Sequence, residues 1–273
     1  MGNAWNFMDF ASKDNLLEAI QRESAGMFAL AEDPESWTAP TGAGDWEVRD
    51  VFGHLIDTTE TYFVGLEAAR GNGEPPPSVV LHEMAVYANE GARQFRNLAR
   101  DAALERLSVA LGKMTEIEEA LTGEEWGGTQ IPHKYMGPLP AFFYPAFQLV
   151  DYTVHSWDIR EGTGQPHALE SRSADLLVPL CFVLWTATSV IPPDTAPFEV
   201  GVRITSGENA GDTKIACGPE GLSCSAESVD GLPVVIDFDP ASFVLTAYGR
   251  MNAGTIHGDQ QLAHRFLAGF FRI

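Results

Sequence analysis

The spacing of hydrophobic residues changes about two thirds of the way along the chain. Residues 14–31 and 46–69 carry apolar side chains three and four positions apart, which predicts amphipathic helices. Asp45 or an adjacent residue can cap the second of these. The same spacing recurs in residues 80–99 and 104–121, and again in the segment that contains residues 149–164. We therefore predict a bundle of about four or five antiparallel helices.

Beyond this region the pattern becomes that of short strands. Residues 173–191 form a further apolar stretch that predicts a buried helix, and the sequence PPDTAP after it is the best linker in the chain. Four short segments rich in β-branched residues predict antiparallel strands, and two helical segments follow. The segments are residues 198–207, 212–218, 221–228, 233–239, 241–250 and 259–271. The predicted fold is a helical domain at 1–192 and a small α+β domain at 193–273.

The composition of the chain limits the kinds of molecule that it is expected to bind. The chain has 273 residues, of which 45% are hydrophobic, and 38 acidic against 17 basic residues give a net charge of −21. A nucleic-acid backbone or an anionic membrane needs clustered Lys and Arg, so neither is an expected partner. The first fifteen residues lack the basic start and apolar core of a signal peptide, and a cytoplasmic location is expected. The three cysteines show no CxxC or zinc-ribbon spacing.

The stretch LVDYTVHSWDIREGTG places three polar residues among apolar ones. On a helix, Asp151, His155 and Asp158 fall within roughly 40° of one another and share one face. A buried carboxylate without a partner is costly, so this face requires a hydrogen-bond donor or a metal ion from elsewhere in the chain.

The predicted helix at residues 46–69 can supply that partner. It contains His54 and Asp57 among apolar neighbours, and His54, Asp151 and His155 together form a three-ligand set of the kind that facing helices build. Such a set with one open position is typical of catalytic zinc, although iron or manganese remains an alternative. Asp57 and Asp158 are candidates for orienting the ligands.

Other residues allow further interpretations. His82 and His133 are alternative ligands, and an ordinary structural role is the competing interpretation for every histidine. A group of aromatic residues either lines a substrate pocket or packs the bundle, and these are Tyr135, Phe142, Phe143 and Tyr144.

Two motifs carry a resemblance to a known family. TGAGDWEVRDVFGHLIDTTE and VDYTVHSWDIREGTG resemble the two metal-binding helices of the mycothiol-dependent maleylpyruvate isomerase family, a branch of the DinB-like metalloenzymes. The resemblance covers most of residues 10–195 and implies a DinB-like four-helix bundle with zinc bound by His54, Asp151 and His155. The isomerase itself has glutamate where this chain has Asp151, which is one methylene shorter.

The C-terminal part resembles the small sterol-carrier-type domain of the same proteins. In that family an arginine of this domain reaches the active site, and the segment AYGR matches it to Arg250. The resemblance implies that the metal holds the sulfur of mycothiol as thiolate and that Arg250 binds a substrate carboxylate.

The resulting hypothesis is a zinc-dependent, mycothiol-using isomerase or S-transferase that acts on a small electrophilic substrate, as a monomer or homodimer. One alternative is a metal-dependent lyase or isomerase that uses no thiol. Another is a non-catalytic protein that binds a small molecule.

Overall fold

The computed structural model describes residues 2–165, 167–192 and 194–271. The chain forms two compact units, Met1–Leu169 and Glu170–Ile273. The first is mainly helical and the second contains a small sheet with helices, which confirms the predicted fold class. Within the described residues, no helix is both long enough and apolar enough to cross a membrane.

The first unit is built around a bundle of long helices. Its helices are α1 (Lys13–Leu30), α2 (Val48–Ala69), α3 (Met84–Gln94), α4 (Arg100–Ala120), α5 (Gly123–Gly128) and α6 (Phe143–Gly162). Helix α1 packs against α6, and α2 contacts α3, α4 and α6. Helix α3 is shorter than the predicted helix at 80–99 and ends at a turn before α4 begins.

Helix α2 is fixed at its beginning by a buried carboxylate. The cap is Glu47 rather than Asp45, and the Glu47 amide donates to Asp50 Oδ2 at 2.9 Å. Asp50 is fully buried, and Arg96 Nε donates to its Oδ1 at 2.8 Å. Burial favours the neutral carboxyl, but the Arg96 guanidinium and the Glu47 amide together outweigh this and lower the pKa of Asp50. The ion pair therefore ties the start of α2 to the segment that follows α3.

The connection between α5 and α6 contains a hairpin that the sequence pattern did not predict. Strands β1 (Gln130–His133) and β2 (Gly137–Pro140) pair antiparallel between two of the predicted helices, where no strand was predicted. The strands are four residues each, too short for an alternating pattern to show, and each contains proline.

The second unit contains a five-stranded sheet with the order β5-β4-β3-β6-β7. The strands are β3 (Phe198–Ile204), β4 (Gly211–Gly218), β5 (Gly221–Ser225), β6 (Val234–Phe238) and β7 (Thr255–Gly258). The prediction of an entirely antiparallel sheet was wrong, because β3 and β6 are parallel. After β5 the chain returns to the far side of β3, and that crossover sets the direction of β6. Strand β7 was not predicted.

Helix α7 (Ser171–Thr188) belongs to the second unit, with α8 (Pro240–Ala247) and α9 (Gln260–Leu267). The units therefore divide at Leu169, earlier than the 192/193 boundary expected from the linker, in which Pro193 lies outside the described residues. Packing explains the difference. The Trp185 ring centroid lies 4.9 Å from that of Phe243 on α8 and 5.2 Å from that of Phe266 on α9. The buried face of α7 is thus part of the second unit's core.

Candidate metal centre

Helices α2 and α6 bring the three predicted ligands together. His54 comes from α2, and Asp151 and His155 come from successive turns of α6. One ligand atom from each lies within 4.8 Å of the ligand atoms of the other two, and His54 Nε2 is 3.8 Å from Asp151 Oδ1. Both histidines are buried, with 8% and 7% of their surface exposed, and Asp151 is half-buried. A small contraction would bring all three to one divalent ion.

Asp158 orients one of these histidines. It lies three residues after His155 on α6 and is fully buried, and its Oδ2 is 2.8 Å from His155 Nδ1. Because an ionised carboxylate only accepts hydrogen bonds, Nδ1 carries the proton and Nε2 presents its lone pair. A carboxylate that holds the distal nitrogen of a ligating histidine is the usual support for a protein metal site.

Asp57, the other candidate for such a role, faces a different helix. Gln94 Nε2 on α3 donates to Asp57 Oδ1 at 2.8 Å. Asp57 also lies so close to Gly91 that a Cβ there would overlap its carboxylate. The structure therefore places Asp57 in the contact between α2 and α3.

Trp46 covers the two imidazoles. Its ring centroid is 5.2 Å from that of His54 and 5.7 Å from that of His155. The indole Nε1 donates to Asn89 Oδ1 at 3.0 Å, and Arg93 Nε donates to the same oxygen at 2.8 Å. Neither Asn89 nor Arg93 had a sequence signal, because both lie on α3 and the contact between Asn89 and Trp46 arises only from tertiary packing.

The remaining histidines lie outside the three-residue cluster. His82 is exposed, and His167 pairs with Glu161 at 2.8 Å. His257 pairs with Asp237 in the second unit, and His264 is on α9. His133 is surrounded by aromatic rings, and burial lowers its pKa to about 4, although the charge of Asp151 acts in the opposite direction.

Three of the four aromatic residues proposed to line a pocket or to pack the bundle are in packing contacts. Phe142 and Phe143 contact Phe7 in the bundle, with ring centroids 5.5 and 5.2 Å away, and so belong to its packing. Tyr144 is buried, and its hydroxyl donates to the Ile131 carbonyl at 3.2 Å. Tyr135 is half-buried beside His133.

Arg250 belongs to the second unit, where it follows α8. Its Nη1 donates to the Tyr248 carbonyl oxygen at 2.9 Å. Its assignment to the active site remains a prediction.

The three cysteines also belong to the second unit. Burial raises the pKa of all three thiols, and that of Cys217 reaches about 11. These thiols therefore stay protonated at neutral pH, and the described structure gives none of them the character of a nucleophile.

Comparison with known proteins identifies structures and a family that this chain resembles. Two solved structures align over most of this chain at low sequence identity. The mycothiol-dependent maleylpyruvate isomerase aligns with a TM-score of 0.58 at 13% identity, over 89% of this chain and 91% of that chain. A histidine-to-alanine mutant of that isomerase aligns with a TM-score of 0.59 at 12% identity, over 89% and 92% of the two chains. No curated protein matches the chain.

At this identity the two structures establish the fold alone. The sequence itself matches the model of the mycothiol maleylpyruvate isomerase N-terminal domain over residues 17–160, which is more than half of the chain and contains all three clustered residues. The chain therefore belongs to the mycothiol maleylpyruvate isomerase N-terminal domain family.

Proposed function

We propose that the protein is a zinc-dependent enzyme that uses mycothiol to isomerise a small electrophilic organic substrate or to transfer the thiol to it. The observation that carries this proposal is the convergence of His54, Asp151 and His155 in a chain of this family. Two imidazole nitrogens and one carboxylate oxygen are a usual ligand set for catalytic zinc. Bound there, zinc would supply a positive centre that favours the thiolate form of a thiol.

The protein's own residues prepare this centre. Asp158 holds His155 with Nε2 directed to the metal position, and the ring of Trp46 lies against both imidazoles and limits the access of water from its side. Asp151 would provide the negative ligand of the set.

The properties of the protein's own cysteines favour an external thiol as the nucleophile. Each of the three protein thiols has a raised pKa, so the nucleophilic sulfur is best provided by a small cofactor. We further propose that Arg250 binds a substrate carboxylate through its forked guanidinium group. Replacement of Arg250 by Gln should then raise KM for a carboxylate substrate and leave KM for its methyl ester unchanged.

The first test is metal content, measured by mass spectrometry on protein purified without a histidine tag. Wild type should contain about one zinc ion per chain. His54→Ala and His155→Ala should lose it, and His82→Ala, which changes an exposed histidine of the same unit, should retain it. A wild-type protein that holds no zinc after dialysis against zinc would contradict the proposal.

The second test uses the zinc-loaded protein with mycothiol and an electrophile of the maleylpyruvate type. An isomer has the mass of the substrate, whereas a conjugate has the summed mass of substrate and thiol, so mass spectrometry of the products separates the two reactions. Turnover that proceeds equally well without thiol would contradict the use of mycothiol and favour the thiol-independent alternative.

A further inference from the structure

The unpredicted strand β1 holds a histidine close to the metal-site helices. Gly65 of α2 lies so near to β1 that a Cβ there would overlap the carbonyl oxygen of Pro132. The Tyr144 hydroxyl of α6 donates to the Ile131 carbonyl at 3.2 Å. Strand β1 therefore contacts both helices that carry the predicted ligands, and His133 is the last residue of that strand.

Four aromatic side chains surround His133. Ring centroids lie 5.4 Å away for Phe147, 5.9 Å for Tyr135 and 6.2 Å for both Tyr62 and Tyr144. We call these five residues the His133 cluster. Tyr62 and Tyr144 are buried and form its floor, whereas His133, Tyr135 and Phe147 are half-buried. The cluster is therefore partly accessible to solvent through these three side chains.

Helix geometry places this cluster beside the metal ligands. On α6, Phe147, Asp151 and His155 are spaced by four residues and share one face. On α2, His54 and Tyr62 are spaced by eight and likewise share a face. Helix α2 thus contributes Tyr62 to the His133 cluster and α6 contributes Tyr144 and Phe147. Phe147 is about one turn, or roughly 6 Å along the helix axis, from Asp151.

The polar atoms of His133 define what this cluster can bind. The Tyr135 amide donates to His133 Nδ1 at 3.3 Å, so the neutral ring carries its proton on Nε2. In the described part of the chain, that N–H has no hydrogen-bond acceptor. Because burial lowers the pKa of His133 to about 4, the ring is a neutral donor at pH 7 and not a cation.

We propose that the His133 cluster is a specificity subsite that binds a planar, conjugated carbonyl group of the substrate, with His133 Nε2–H donating to the carbonyl oxygen. The aromatic rings of the cluster suit a flat unsaturated group, and the single neutral donor suits an uncharged oxygen. The inference rests on the proposed function in that the bound molecule is the electrophile, and it assigns the residues that hold the carbonyl group of that electrophile. A hydrogen bond to a conjugated carbonyl also withdraws electrons from the attached double bond, which favours attack by a thiolate.

The test is equilibrium binding of two probes, measured by isothermal titration calorimetry in the absence of thiol. The measurement is made on zinc-loaded and on metal-free protein. The first probe is 4-phenylbut-3-en-2-one, a planar conjugated ketone, and the second is 1-phenylbut-1-ene, which has the same shape without the oxygen. Wild type should bind the ketone more tightly than the hydrocarbon. His133→Phe, which keeps a ring in the cluster, should weaken ketone binding about tenfold and leave hydrocarbon binding unchanged. His82→Phe is the matched control and should change neither.

A second variant keeps the proposal testable if His133→Phe does not fold. Tyr135→Leu changes a half-buried wall of the cluster and should weaken the binding of both probes. Failure of wild type to bind the ketone, or equal ketone affinity in wild type, His133→Phe and Tyr135→Leu, would overturn the inference. Ketone binding that depends on His133 in a protein without thiol-dependent turnover would support this subsite and contradict only the proposed function.

Discussion

Removal of the charge on Asp158 tests whether His155 is held for a metal ion. The Asp158→Asn substitution keeps the size of the side chain and replaces a carboxylate by a neutral amide. Asp158 Oδ2 lies 2.8 Å from His155 Nδ1 and the residue is fully buried, so water cannot readily replace the lost acceptor. The neutral amide makes a weaker hydrogen bond and can also present its NH₂ group, which would favour the wrong imidazole tautomer.

The expected loss follows from the strength of such contacts. Hydrogen bonds to charged groups contribute about 1.5–3 kcal/mol, and outer carboxylates that support ligating histidines typically change metal affinity by about 10–100-fold. Because Asp158 is fully buried, the upper half of this range is expected, so the zinc Kd of Asp158→Asn should rise at least about thirtyfold, or about 2 kcal/mol.

The assay is competition for zinc between the protein and a chromophoric chelator. Asp175→Asn is the matched control, because Asp175 is also a buried aspartate but accepts hydrogen bonds from the Glu208 and Asn209 amides in the second unit. It should lower the stability of that unit and leave the zinc Kd unchanged. Equal zinc affinities for wild type and a folded Asp158→Asn, or equal losses in both variants, would refute the reasoning.

Three further predictions concern stability, each measured by chemical denaturation. The carboxylate of Glu118 faces the Gln148 amide, and burial raises its pKa well above the usual 4.5. The folded state therefore binds this proton more tightly than the unfolded state does, and wild-type stability falls as pH rises above 4.5. Glu118→Gln should therefore be more stable than wild type by a margin that grows with pH, and a margin independent of pH would contradict this. For His133 the folded-state pKa of about 4 lies below the unfolded value of 6.5, so stability falls as pH drops through this interval. Wild type should lose about 2 kcal/mol more than His133→Phe between pH 7 and pH 5, and parallel curves would exclude the shift. Gly65→Ala should cost about 1–3 kcal/mol because its Cβ would meet the Pro132 carbonyl, whereas Gly112→Ala, with open space around it, should not destabilise the protein.

The sequence pattern predicted the long helices because their signal is local. A helix buries one stripe, and the repeat of apolar residues along α1, α2, α4 and α6 records that stripe within a single segment. The same periodicity placed Asp151, His155 and Asp158 on one face, and the hydrogen bond between Asp158 and His155 agrees with that prediction. The pairing of His54 with this face rested on residue chemistry and family resemblance, and the structure brings the three side chains together.

The elements that were missed are those whose partners are distant in the chain or whose strands are very short. The hairpin of β1 and β2 and the strand β7 have four residues each, which is too few for a pattern of period two. The parallel pairing of β3 and β6 depends on the route of the chain after β5 and not on the sequence of either strand.

The sequence by itself determined the helical first part, the α+β second part and the residue types of the candidate metal site, because helical periodicity and ligand chemistry are properties of single segments. Tertiary structure alone decided that α7 belongs to the second unit, that Asp57 faces α3 and that Trp46 covers the imidazoles. It also placed His133 among four aromatic rings contributed by α2, α6 and the segment after β1. These features depend on which surfaces of separate segments pack together. Such packing produces no periodic pattern of residues within a single segment, so the sequence pattern does not reveal it.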